Sequence, residues 1–108
     1  MSLHLLNTAI IPWFDGGATV EVRSLSLEEA KSLLQEHTLV SHVGHQATAS
    51  VLSGLLGREV KMDRSPWDGS GVALVFQSHS RLEEGKIYSA EEMAALKFGF
   101  RMMEIVRE

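Results

Sequence analysis

The sequence predicts a single α/β (α+β) domain over residues 1–108, built as a mixed β-sheet with helices packed against it. Three observations point there. Short apolar or alternating runs, at Leu3 to Leu6, Ala18 to Leu25, Thr38 to Val43 and Val72 to Gln77, read as strands. Ser26-Leu27-Glu28-Glu29 and Ser89-Ala90-Glu91-Glu92 read as capping boxes that open helices. The two kinds of signal are interleaved along the chain, without repeats, low-complexity tracts or linkers.

Taken in order, the first strand ends at Asn7-Thr8, residues suited to a strand-end turn. Pro12 and Asp15-Gly16-Gly17 mark a loop before the second strand. The helix opened by Ser26 places Leu27, Ala30, Leu33 and Leu34 on one face. The mostly apolar third strand, Thr38 to Val43, predicts burial on both sides. It stops at a Gly44-His45 step, and a helix starts at once, with Ala47, Val51, Leu52, Leu55 and Leu56 toward a core and Gly57 as C-cap. A short strand is expected over Glu59 to Met62, and a polar loop over Pro66 and Asp68-Gly69-Ser70-Gly71. Phe98 to Val106 fits both a helical stripe and a strand, and Gly99 with the aromatic content favours the strand. A terminal strand this apolar is a liability unless paired, so a homodimer using it is expected.

Composition narrows the function. With 44% hydrophobic and 22% charged residues, the chain has the balance of a folded globule, not of a disordered segment. It has no cysteine, which removes disulfides, thiolate metal sites and thiol nucleophiles. No apolar run approaches the roughly 20 residues that span a bilayer, and the N-terminus lacks a basic secretory start. A cytoplasmic, non-membrane protein is expected. The net charge of −4 argues against a broad DNA-binding face, yet leaves room for a small phosphorylated ligand in a local pocket.

The segment Ser41-His42-Val43-Gly44-His45-Gln46-Ala47-Thr48 sets a histidine at the mouth of a helix, where free backbone N–H groups favour an anion. An imidazole there suits general acid or base work on a phosphate ester, while the bland reading, the commoner use of such a residue, is a polar group sealing a helix start or packing near the sheet. Arg81-Leu82-Glu83-Glu84-Gly85-Lys86 follows the strongest strand. Arg81 can grip a phosphate through two parallel bonds and Lys86 can add a point charge, while the bland reading is a solvated turn. Arg64 stands in a loop and could face an anion. His4, His37, His42 and His79 have no special setting, and His42 with His45 lacks a third partner for a metal.

Together these residues resemble the viral and bacterial ring nucleases that act as type III anti-CRISPR proteins. The shared pattern is Leu6-Asn7-Thr8-Ala9, Gly44-His45 with Thr48, Leu55-Leu56-Gly57, Arg64, Ala73-Leu74-Val75-Phe76, and Arg81 through Gly85-Lys86. Each element is weak alone, and the ordered set spans most of the chain. The resemblance implies a homodimer that encloses cyclic tetra-adenylate and cuts it, without metal or other cofactor, to linear di-adenylates with a 2′,3′-cyclic phosphate. It implies His45 as general acid, Arg81 as the group stabilising charge on the phosphate, and Glu84 as the residue setting local geometry. Asn7, Thr8, Gly44, Thr48, Arg64 and Lys86 would bind the ligand, and Arg81 to Tyr88 would cover it. The Asn7-Thr8 segment follows bacterial members, and Ala47 lacks a hydroxyl that some relatives offer beside the histidine. A cyclic-oligonucleotide-binding protein that sequesters without cleaving is the alternative. A partner-binding protein using its sheet edge is a third reading.

Overall fold

Alternation in the first strand divides its side chains between two layers, and the rest of the sheet follows that division. The computed structural model describes residues 2–79 and 81–107. In chain order the elements are β1 (Ser2–Leu6), β2 (Ala18–Leu25), α1 (Leu27–Glu36), β3 (Thr38–Ser41), α2 (Gln46–Leu56), β4 (Val72–Ser78), α3 (Ala90–Ala95) and β5 (Phe98–Arg107). They form one mixed five-stranded sheet in the order β2-β5-β4-β1-β3. β1 pairs in parallel with β3 on one side and with β4 on the other, while β5 runs antiparallel between β4 and β2.

Leu3 and Leu5 of β1, with Leu74 and Phe76 of β4 and Phe100 of β5, face a core shared with Ala30 and Leu34 of α1 and Val51, Leu52 and Leu56 of α2. Leu6, Ala73, Val75, Met103 and Ile105 face the opposite way, onto a smaller core closed by Trp67 and Phe14 from loops. Helices therefore cover one face of the sheet and loops cover the other. Both capping boxes form: Ser26 and Glu29 exchange bonds at the start of α1, and Ser89 and Glu92 do so at α3. Gly57 ends α2 in the left-handed region, φ 69°, with its N–H on the Ser53 carbonyl.

Three expectations are corrected. β3 ends at Ser41 and is an edge strand, so Leu39 and Val40 are only half-buried. No strand forms over residues 59–62, because single bonds satisfy that backbone: Ser53 Oγ accepts from Val60 N at 2.8 Å, Ser41 Oγ donates to Lys61 O at 2.6 Å, and Asp63 N donates to Val43 O at 2.8 Å. β5 is a strand as expected, but an interior one, with β4 and β2 on its two sides. Its apolar character is thus accounted for within the chain, and it gives no reason for a dimer. The outer strand β2 carries Glu21 and Arg23, both exposed, charges of the kind that discourage pairing by a further strand.

Leu74 is fully buried at the centre of the sheet. Leu74→Ala is expected to cost about 2–5 kcal/mol in denaturant unfolding, whereas Val22→Thr on the exposed outer strand should change it by less than about 0.5 kcal/mol.

Candidate functional site

The parallel strands release the chain at one end of the sheet. β1 leads into Asn7-Thr8, β3 into His42 to His45, and β4 into the segment that reaches Arg81. Ligands of open α/β sheets lie outside the carboxyl ends of such strands, and here a cleft of about 400 Å³ opens there. It brings together six residues singled out from the sequence: Asn7, Thr8, His45, Thr48, Arg81 and Glu84.

His45 is the N-cap of α2 with extended backbone (φ −132°, ψ 132°), yet its side chain makes no capping bond. The helix proper begins with Ala49 N donating to His45 O at 3.0 Å. The first-turn N–H groups of α2 thus have no side-chain cap from His45, and no acidic residue stands in that turn. The contrast within the fold is sharp. α1 and α3 each have a serine cap, a full capping box and two glutamates in the first turn. Among the described helices, α2 alone leaves its N-terminal N–H groups without a side-chain cap or a first-turn carboxylate, the arrangement that favours an anion.

The His45 ring stands in solvent, 55% exposed, with Nδ1 3.9 Å from Oε1 of Glu84, itself 56% exposed. A pair so well hydrated orients the ring more than it stabilises the fold. With Nδ1 toward Glu84, Nε2 is the nitrogen left for a ligand. Arg81, also exposed, makes no hydrogen bond or ion pair among the described residues, so its guanidinium is available to an anion. Leu82 beside it is buried in the helix-side core and anchors the segment. The turn closes through Glu83 N donating to the Tyr88 hydroxyl at 3.0 Å, with Gly85 at φ 79°.

Lys86 is not brought to the cleft. Its ammonium lies 2.6 Å from Oε2 of Glu92 and 4.7 Å above the Tyr88 ring. The bond to Glu92 raises the lysine above its ordinary range and, with the Ser89 backbone, holds the Glu92 carboxyl below its own. Glu92 therefore caps α3 with one oxygen and ties down the turn with the other. Ala47, which lacks the hydroxyl some relatives offer beside the histidine, is buried in the core and does not line that cleft.

Gly44 and Arg64 line a second cleft of about 680 Å³ on the other side of His45, together with His42, Ser65, Pro66 and Trp67. Arg64 is held by Nε donating to Gly44 O at 3.1 Å. Asn7, Thr8 and His45 border both clefts. Sequence reasoning missed Gln77 and Ser78, which line the smaller cleft from the last residues of β4; their place at the end of the strongest strand was the available signal.

It also missed the His4–His42 pair. His42 Nδ1 lies 2.9 Å from the Ser65 carbonyl, which can only accept, so that nitrogen bears the proton. In the neutral ring Nε2 then accepts from His4 Nδ1, 2.9 Å away. Burial, and then His42, push the His4 pKa down, against the opposing pull of Asp68. Among the described residues no group of three or more His, Asp or Glu side chains is placed to hold a metal ion, and no helix is long and apolar enough to cross a membrane.

Comparison with known proteins places this architecture. Residues 3–101 match the STIV B116-like family. The chain is 38% identical over 101 residues to uncharacterized protein ORF117 of Acidianus two-tailed virus, covering 89% of this chain and 86% of that one. It is 33% identical over 108 residues to uncharacterized protein 26 of Sulfolobus islandicus filamentous virus (isolate Iceland/Hveragerdi), covering 96% and 92%. Among solved structures, B116 of Sulfolobus turreted icosahedral virus superposes with a TM-score of 0.77 at 24% identity, over 96% of this chain and 99% of that one, a likeness of fold.

Because the folded state binds a proton at His4 less readily than the unfolded chain, His4 contributes full stability above its ordinary value near 6.5, lost as pH falls through that value toward the lowered one. The thermal midpoint is expected to drop as pH is taken from about 7.5 to about 5.5, and His4→Gln should flatten that dependence.

Proposed function

The chain belongs to the STIV B116-like family, and on that premise we propose that it is a metal-independent ring nuclease acting on cyclic tetra-adenylate. The observation that supports this reading most is the meeting of His45, Arg81 and the uncapped first turn of α2 at one cleft. Each part has a role in cutting a phosphodiester. The helix N–H groups and Arg81 receive the anionic phosphate, whose equatorial oxygens gain charge in the transition state. A ribose 2′-hydroxyl attacks the adjacent phosphorus in line, losing its proton to solvent. The P–O5′ bond breaks, and His45 delivers a proton to the departing 5′-oxygen. The product end is a 2′,3′-cyclic phosphate. Two such cuts convert the ring to two linear di-adenylates.

Glu84, on the Nδ1 side of His45, keeps the ring turned so that Nε2 faces the leaving oxygen. Asn7, Thr8 and Thr48 flank the phosphate. The turn from Arg81 to Tyr88, anchored by Leu82 and by the Lys86–Glu92 bond, lies over the ligand. A twofold homodimer matches a ring of fourfold chemistry, since each protomer offers one His45 to one of two opposite phosphates. Removal of the messenger would end type III CRISPR signalling in the cytoplasm where it is made, an anti-CRISPR role if a virus supplies the protein.

Incubation of the protein with cyclic tetra-adenylate in excess EDTA should yield linear di-adenylate over many turnovers, resolved by chromatography. His45→Ala should slow cleavage by about 10² or more. Tight binding with no product would reject the enzyme in favour of a sequestering protein, and an unchanged rate in His45→Ala would remove the histidine from the chemistry.

A further inference from the structure

The larger cleft has a lining unlike that of the smaller one. Ile10, Pro12, Trp13, Pro66 and Trp67 are among its lining residues, and Arg64 is fixed there by its bond to Gly44 O. Apolar and aromatic side chains mixed with placed polar groups (Asn7, Thr8, His42, His45, Arg64 and Ser65) suit a heteroaromatic ring that carries hydrogen-bonding edges. The two tryptophans are also in different circumstances. Trp67 is 6% exposed and its indole N–H donates to Ser70 O at 2.9 Å, so the fold uses both its surface and its donor. Trp13 is 90% exposed, next to Ile10 and Ile11, which are also exposed. Such an apolar cluster left in water marks a binding surface.

The loop that presents Trp13 is pinned on both sides of it. Pro12 packs so closely on Gly69 that a Cβ there would lie 2.9 Å from its Cγ. The Phe14 ring lies under the Arg107 guanidinium at 4.8 Å, and Arg107 Nη2 donates to Asp68 O at 2.8 Å. The chain on both sides of Trp13 is therefore anchored at the cleft while the indole itself stays in solvent. Asn7, Thr8 and His45 line both clefts. The two clefts are therefore neighbours, Arg81 lining one and Trp13 the other.

From these placements we infer that the larger cleft is a nucleobase subsite, and that Trp13 is its stacking platform for a purine flanking the phosphate held at His45 and Arg81. The inference rests on the proposed function for the identity of the ligand, but not for the chemistry of the cleft. Stacking on one aromatic side chain changes binding by roughly 5- to 150-fold when that side chain is truncated. Trp13 contributes this to binding and none of it to proton transfer.

The chain has two tryptophans, so its NMR spectrum holds two indole N–H signals, and Trp13→Phe identifies which belongs to residue 13. Adenosine 5′-monophosphate should move the Trp13 signal upfield, and ribose 5-phosphate, which lacks a base, should not. With cyclic tetra-adenylate, Trp13→Ala should raise KM roughly 5- to 150-fold with kcat little changed, and Trp13→Phe should restore most of it. The thermal midpoint of both variants should match that of the parent. An unmoved indole with an unchanged KM overturns the subsite, as does an equal shift with ribose 5-phosphate. A later-eluting Trp13→Ala protein with unaltered KM also overturns it, assigning the patch to a second copy of the chain. Wild-type protein that leaves the ring intact, while adenosine 5′-monophosphate still shifts Trp13, would sink the ring-nuclease reading and keep the base subsite.

Discussion

The parallel pairing of β1 with both β3 and β4 is the constraint on which the rest of the molecule depends. Parallel neighbours point their carboxyl ends the same way, so three connections leave the sheet side by side. Asn7, His45 and Arg81 are far apart in the chain and become neighbours only through this arrangement. Register matters as much as direction. Leu5 stands opposite Ser41 and Leu74, and a slip by one residue would turn Leu3 and Leu5 from the helix side to the loop side. The same slip would shift every outgoing loop relative to the others, and the site would not assemble.

The three helix starts show how the fold separates structural from available groups. Where stability is needed, as at α1 and α3, serine and glutamate close the N-terminus from within. At α2 the equivalent position holds a histidine that leaves the helix uncapped by its side chain and turns toward Glu84 and solvent. The cations divide similarly. Lys86 is bound to Glu92 and Arg64 to Gly44 O, whereas Arg81 has no such partner among the described residues. A helix start left open and an arginine left unpaired at one cleft each forgo a stabilising contact that the rest of the fold makes.

The two faces of the sheet are covered differently, and the site lies on the seam. Helices close one layer around Phe76 and Phe100, and loops close the other around Trp67. His4 alternates onto the loop side and meets His42 there, next to the wall of the larger cleft. Loop-built walls are easier to vary than helix-built ones, because side chains on them satisfy few packing partners. This gives a physical reason for the helix-backed cleft at Arg81 to coexist with the loop-borne aromatic cleft beyond His45.

What the sequence determined by itself was local. Ser26 and Ser89, each three residues before a glutamate, are enough to start helices, since the bonds involved span only three positions. The alternation of β2 and the continuous apolar run of β4 likewise need no partner to be read. The Gly44-His45 step and the Arg81 segment were legible as candidates from the residue types alone, and only the fold brings them to one cleft. Tertiary structure decided everything that depends on who pairs with whom. Val60 met Ser53 Oγ instead of a strand, and β5 was enclosed by β2 and β4 instead of being left at an edge. Lys86 went to Glu92, because an oppositely charged neighbour six residues on competes directly with a distant anion. The His4–His42 bond joins residues 38 positions apart, and no local pattern encodes a contact made only when two strands lie side by side.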